Sequence, residues 1–207
     1  MNWRSIRAVA QKDLTVVFRT KMVVLPMVIV PVIMQVVLPG LFGLAAIFAG
    51  DMLAGDMQDF EQMLAIMPEA LTRQFAGMEP AQVFLMLMLV YAFAPMFLIV
   101  PIMVASVIAA DSFVGERERK TLEALLYTPL TDRELLVAKM LAAWLAAVGV
   151  GLGAFVLYAL VANGVGWPLM GRIYFPNAMW IVLVLWVAPA VAGLGLGVTV
   201  LLSTRVN

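Results

Sequence analysis

The stretch Asp111 to Lys139, DSFVGERERKTLEALLYTPLTDRELLVAK, is a polar island between two long apolar runs. It holds five of the chain's 13 basic residues: Arg117, Arg119, Lys120, Arg133 and Lys139. Its spacing reads as a short helix with defined ends. Glu116 and Lys120 stand four apart, as do Arg119 and Glu123, so each pair can meet on a helix surface. Leu122, Leu125 and Leu126 fall at i, i+3 and i+4 and make a small apolar face. Pro129 stops that helix and pushes Thr128 into an extended conformation. Thr131 and Glu134 then have the spacing of a capping box, placed just before the next apolar run. The island is a helix, a turn and a capped restart.

The runs on either side set the class. Hydrophobic residues make up 64% of the 207 and charged residues 13%, against roughly 25% charged in soluble domains. A soluble chain of this length has too little interior for that much apolar side chain. The reading is an all-α, polytopic membrane helix bundle. Four runs are long enough to cross a ~30 Å hydrocarbon core, which takes about 20 residues: 22–49, 81–110, 134–162 and 178–202. Net charge is zero, so no nucleic-acid partner is indicated. There is no cysteine and no histidine. That removes disulfides, thiolate nucleophiles, the usual zinc ligands and every Ser-His or Cys-His arrangement. No catalytic residue, cofactor or metal ligand set is expected.

In chain order, residues 1–21 carry Arg4, Arg7, Lys12, Arg19 and Lys21 without a cleavage site, so they are not a secretory signal. Trp3, Ile6, Ala10, Leu14 and Val17 repeat at three and four, opposite Arg4, Arg7, Gln11 and Thr15. That pattern suits an amphipathic helix in the membrane interface, with its basic residues on lipid headgroups; the plainer alternative is a charged leader to the first span. The first span, 22–49, contains Pro26, Pro31 and Pro39, which predict kinks. It also contains Gln35, either an interhelical hydrogen bond or a pathway-lining group. Residues 50–80 hold six acids and one base, with apolar residues at helical spacing. They read as an external amphipathic helical segment broken at Pro68. Its acids are either a solvated face or an attractor of cations.

The second span, 81–110, contains Pro95 and Pro101 and is long enough to require tilt, a kink or extension past the membrane. Asp111, at its end, opposes the helix dipole, so it has a cationic partner or is simply solvated. In the third span, 134–162, Lys139 is placed to snorkel to the interface. Gly149 and Gly153 form one GxxxG, and Gly193 and Gly197 in the fourth span, 178–202, form a second, both expected to pack closely against another helix. Residues 163–177 are expected as an external loop, with Trp167, Tyr174 and Trp180 in an interfacial belt. Lysine and arginine number five before the first span, one in the first loop, five in the second, one in the third and one after the fourth. The positive-inside rule then puts the N-terminus, the 111–133 loop and the 203–207 end in the cytoplasm.

The run ERERKTLEALLYTP, preceded by Asp111 and followed by Leu135, Leu136 and Lys139, resembles the first cytoplasmic loop of ATP-binding-cassette (ABC) type-2 permeases. The sodium-efflux-type subgroup is the most similar. Many members have Gly where this chain has Lys120, a mild departure. The resemblance extends back to the KDL…R…K segment before the first span and forward to Arg205. It implies a bacterial inner-membrane transport subunit in which 111–133 is a coupling helix against a separate ABC ATPase. Glu116, Arg117, Glu118, Arg119, Leu122, Glu123 and Leu126 would be its contacts. The resemblance also implies export, work as a permease dimer or with a second permease half, and an N-terminal connecting helix. Family members usually continue for two more spans, so the chain reads as truncated after the fourth.

No GxxxxGK[ST] occurs, so nucleotide chemistry would belong to another chain. The spans hold essentially no acids, which argues against an ion relay and for an apolar or amphiphilic substrate. An intramembrane enzyme would have to use Gln35, Tyr91, Ser106, Tyr158 or Thr199 with no base nearby. The alternative to a permease is a membrane scaffold or assembly protein, which would be indifferent to nucleotide.

Overall fold

The computed structural model describes residues 3–48, 62, 66–112 and 131–205. Among them every regular element is helical. Four helices are long and apolar enough to cross a membrane: span 1 Lys21–Phe48, span 2 Pro80–Ala110, span 3 Arg133–Met170 and span 4 Ala178–Ser203. A further helix, Trp3–Arg19, precedes them. The shortest span has 26 residues; at 1.5 Å per residue it is about 39 Å long, more than the hydrocarbon core requires. Helices satisfy their own backbone, the condition for crossing lipid. The expected all-α polytopic bundle is the observed fold.

The bundle packs by small residues. Ala138, Ala142, Ala143, Ala146, Ala147 and Ala154 of span 3 are buried, as are Ala105 and Ala109 of span 2 and Ala188 and Ala192 of span 4. Large apolar side chains such as Leu160, Trp186, Leu194 and Leu201 point outward. Lipid rewards no burial of leucine, so close backbone approach decides what goes inside.

The prolines act through the turn before them. Three spans contain π-helical turns: Ile33–Val37, Leu87–Ala92 and Leu183–Val187. A proline cannot donate to the carbonyl four residues back and its ring crowds it. For Pro39, Pro95 and Pro189 that carbonyl belongs to Gln35, Tyr91 and Leu185, one in each π turn. Of the prolines expected to kink the first two spans, Pro39 and Pro95 follow such a widened turn, whereas Pro26, Pro31 and Pro101 stand in plain α-helix. Side chains then cap neighbouring carbonyls. Trp180 Nε1 donates to Val90 O at 2.7 Å and Trp144 Nε1 to Pro189 O at 2.9 Å. The Tyr158 hydroxyl donates to Leu89 O. Gln35 is fully buried, and its amide makes no hydrogen bond among the described residues.

Two readings of the end away from the 111–133 loop need correction. The segment 163–177 is not all loop: the third helix continues through Met170 and closes on Gly171, whose φ of 60° is the left-handed cap that glycine favours. Asn163 explains why. Its amide donates to Ala159 O and Phe175 O and accepts from the N–H groups of Tyr174 and Phe175, clasping the returning chain onto the helix. Trp180 is not in an interfacial belt. It is fully buried, with its ring 4.9 Å from Tyr158 and 4.8 Å from Phe175. Trp167, by contrast, is exposed. Burial raises the Tyr174 phenol above its ordinary value, and its hydroxyl donates to Ala162 O at 2.8 Å. Of the 50–80 segment, the described part has a short helix, Glu69–Thr72, beginning after Pro68. The Arg73 guanidinium donates to Glu69 there at 3.0 Å.

Candidate functional site

The roots of the 111–133 loop lie beside the buried charged side chains of the described residues, Asp13 and Lys139. One root is the C-terminal end of span 2, at Asp111 and Ser112. The other is Thr131, whose extended backbone caps span 3. Glu134 N donates to Thr131 Oγ1, and Thr131 N donates back to Glu134 Oε2 at 3.2 Å. This is the capping box expected from the sequence. It sets the start of span 3 through local bonds alone, whatever the conformation of the loop before it.

The N-terminal helix lies against span 3 beside these roots. Its buried face is Ile6, Ala10, Asp13 and Val17, a repeat of four, three and four. Three of those fit an amphipathic helix; Asp13 is an acid on the apolar face. It is 4% exposed, and Lys139 of span 3 is 3% exposed. Lys139 Nζ stands 3.9 Å from Asp13 Oδ2 and donates to the backbone carbonyl of Ser112 at 3.1 Å. Lys12 Nζ approaches Asp13 Oδ1 at 3.6 Å. Lys139 therefore does not snorkel to the interface. A carboxylate and a carbonyl hold it inside, where a buried ammonium requires such partners. One side chain thus ties three elements together: the N-terminal helix, the end of span 2 and the start of span 3.

The seven residues expected to meet an ATPase, Glu116, Arg117, Glu118, Arg119, Leu122, Glu123 and Leu126, lie outside the described residues. The helix-packing glycines are described. Gly193 faces the Trp144 indole at 3.8 Å, while a Cβ at Gly149, Gly153 or Gly197 would meet nothing within 4 Å among the described residues. Close approach occurs at Gly195 in the second triplet, and Gly151 in the first makes ordinary contact. A Cβ at Gly195 would lie 3.1 Å from Ile102 Cγ2, and one at Gly151 3.8 Å from Pro101 Cβ. A Cβ at Gly43 of span 1 would collide with Val165 of span 3.

Three of the hydroxyls that an intramembrane enzyme would need, Tyr91, Tyr158 and Thr199, donate hydrogen bonds within the protein. Tyr91 donates to Gln74 Oε1 at 2.7 Å, and Thr199 donates to Gly195 O in its own helix at 2.9 Å. Among the described residues no group of three or more carboxylates could hold a metal ion.

Known proteins place this architecture. The profile of the family described as "ABC-2 family transporter protein" matches residues 7–207. A stretch of 75 residues is 39% identical to the ABC transporter permease protein NatB of Bacillus subtilis (strain 168). That stretch is 36% of this chain and covers 19% of NatB's length. No solved structure matches. With its four apolar helices, the chain belongs to the ABC-2 family of transporter proteins, as a multi-pass membrane permease component.

Proposed function

We propose that the chain is the permease subunit of an ATP-driven exporter in a bacterial inner membrane, and that a separate ABC ATPase grips the 111–133 loop. In this reading Glu116, Arg117, Glu118, Arg119, Leu122, Glu123 and Leu126 face the ATPase, and the N-terminus and the 111–133 loop lie on the cytoplasmic side. The observation that carries the reading is the Lys139 junction. A push on the loop arrives at both of its roots, and Lys139 joins each of them to the N-terminal helix. Rigid elements connected this way move together instead of dissipating the displacement in a floppy connector. A second permease copy or half completes the translocation unit. The substrate is apolar or amphiphilic and moves along the faces between spans, because the described parts of spans 1, 2 and 4 carry no acid.

The test is co-purification of an ABC ATPase with the full chain. Replacing Leu122 and Leu126 by Glu is expected to abolish co-purification and nucleotide-dependent transport together. Retention of the ATPase by that variant would remove the coupling assignment. A partner complex indifferent to nucleotide in the wild type would favour a scaffold instead.

A further inference from the structure

The elbow between the N-terminal helix and span 1 holds a groove that the coupling reading does not use. Thr20 has an extended backbone, φ −85° and ψ 102°, and breaks the helix between Arg19 and Lys21. Just beyond it, Val23, Met27 and Pro31 turn into the bundle. The other side of the same turns is open. There Phe18, Arg19, Lys21, Val24, Leu25, Val28 and Ile29 line a groove of about 310 Å³. Its walls are apolar and outward-facing; Leu25 is 62% exposed. Its two polar residues are both cations, one on each side of the break. Neither pairs with an acid among the described residues, and the acid of the N-terminal helix, Asp13, is buried with Lys139.

We propose that this groove is a discrete binding site for one anionic phospholipid, its phosphate held between Arg19 and Lys21 and an acyl chain lying along Val24, Leu25, Val28 and Ile29. Three features select that occupant. The cations stand at the N-terminal end of span 1, where a helix that crosses lipid leaves the hydrocarbon for the headgroups. From Lys21 to Ile29 the helix rises about 12 Å, so the apolar wall runs down into the acyl region. Two adjacent cations favour a net-negative headgroup over a zwitterionic one, whose own ammonium competes for the phosphate. A protein segment would have to bring an acid to that depth and bury it. A lipid seated across the elbow would fix the angle between the N-terminal helix and span 1, and with it the position of Asp13 against Lys139.

The experiment is native mass spectrometry of the full chain released from micelles containing equal amounts of phosphatidylglycerol and phosphatidylcholine. The wild type is expected to retain one phosphatidylglycerol. Arg19→Gln with Lys21→Gln is expected to weaken that retention by roughly 30-fold, the effect of two near-surface cations. Arg4→Gln with Arg7→Gln removes the same charge from the same helix and is expected to leave retention intact. Val28→Trp fills the groove without touching the cations and is expected to reduce retention as well. Equal loss in both charge variants would mean diffuse surface attraction and overturn the proposal. So would unchanged retention in Val28→Trp, or no preference for phosphatidylglycerol in the wild type. Loss of a dimer in the Arg19/Lys21 variant, with bound lipid unchanged, would assign the groove to a second copy and also overturn it.

Discussion

Lys139 is the residue on which the arrangement turns. A lysine near a span terminus ordinarily reaches for water, yet this one is held by Asp13 and the Ser112 carbonyl. Removing one member of a buried pair strands the other charge and costs roughly 3–5 kcal/mol, whereas replacing both by apolar groups is often neutral. Lys139→Met and Asp13→Leu are therefore each expected to lower thermal stability in detergent sharply. The double variant is expected to recover most of the loss while still transporting poorly, because the tie to the loop is gone. Additive losses in the double variant would mean the two residues do not act as a pair. Half of this pair was visible in the sequence. Asp13 falls in register with Ile6, Ala10 and Val17, and an acid on an apolar face is a signal that it has a cation. Nothing local points to Lys139 as that cation, 126 positions along the chain, because pairing across a bundle leaves no mark in spacing.

At the scale of elements, the four spans follow from apolar length and from the need of a backbone in lipid to satisfy itself. Their packing follows from small residues. Gly43 against Val165 is the tightest such approach between spans 1 and 3. Gly43→Ala is expected to destabilise the bundle by roughly 1–3 kcal/mol through overpacking, and Val165→Ala, which removes the nearest methyl but keeps the Cβ at 2.8 Å, is expected to restore part of the loss; melting temperatures of the three variants check this. No recovery in the double variant would mean the contact is not what limits packing. The apolar pattern could not show how each proline would be absorbed. Proline removes one donor, and the chain can answer with a kink, a break or a widened turn. Contacts from other helices, such as Trp180 Nε1 donating to Val90 O inside the second π turn, leave no mark in that pattern. The segment 163–170 has the composition of a loop and folds as helix for the same kind of reason. Asn163 spends its amide on the chain returning to the helix, and Pro168 near the helix end costs one internal bond. Composition weighs residues singly; here a clasp twelve residues away decides.

For the whole molecule, family membership and four apolar helices make the chain a multi-pass permease component. The coupling loop, its ATPase and the direction of transport are our proposals, and they hang on which side of the membrane the 111–133 loop occupies. The chain contains no cysteine, so one thiol introduced by Glu118→Cys reports on that loop alone. The decisive measurement is labelling of this thiol by a membrane-impermeant maleimide, in right-side-out and inside-out vesicles, with and without the bound ATPase. With the loop in the cytoplasm and gripped by the ATPase, reaction is expected only in inside-out vesicles, with protection when the ATPase is present. Reaction in right-side-out vesicles, or labelling unaltered by the ATPase, would contradict it.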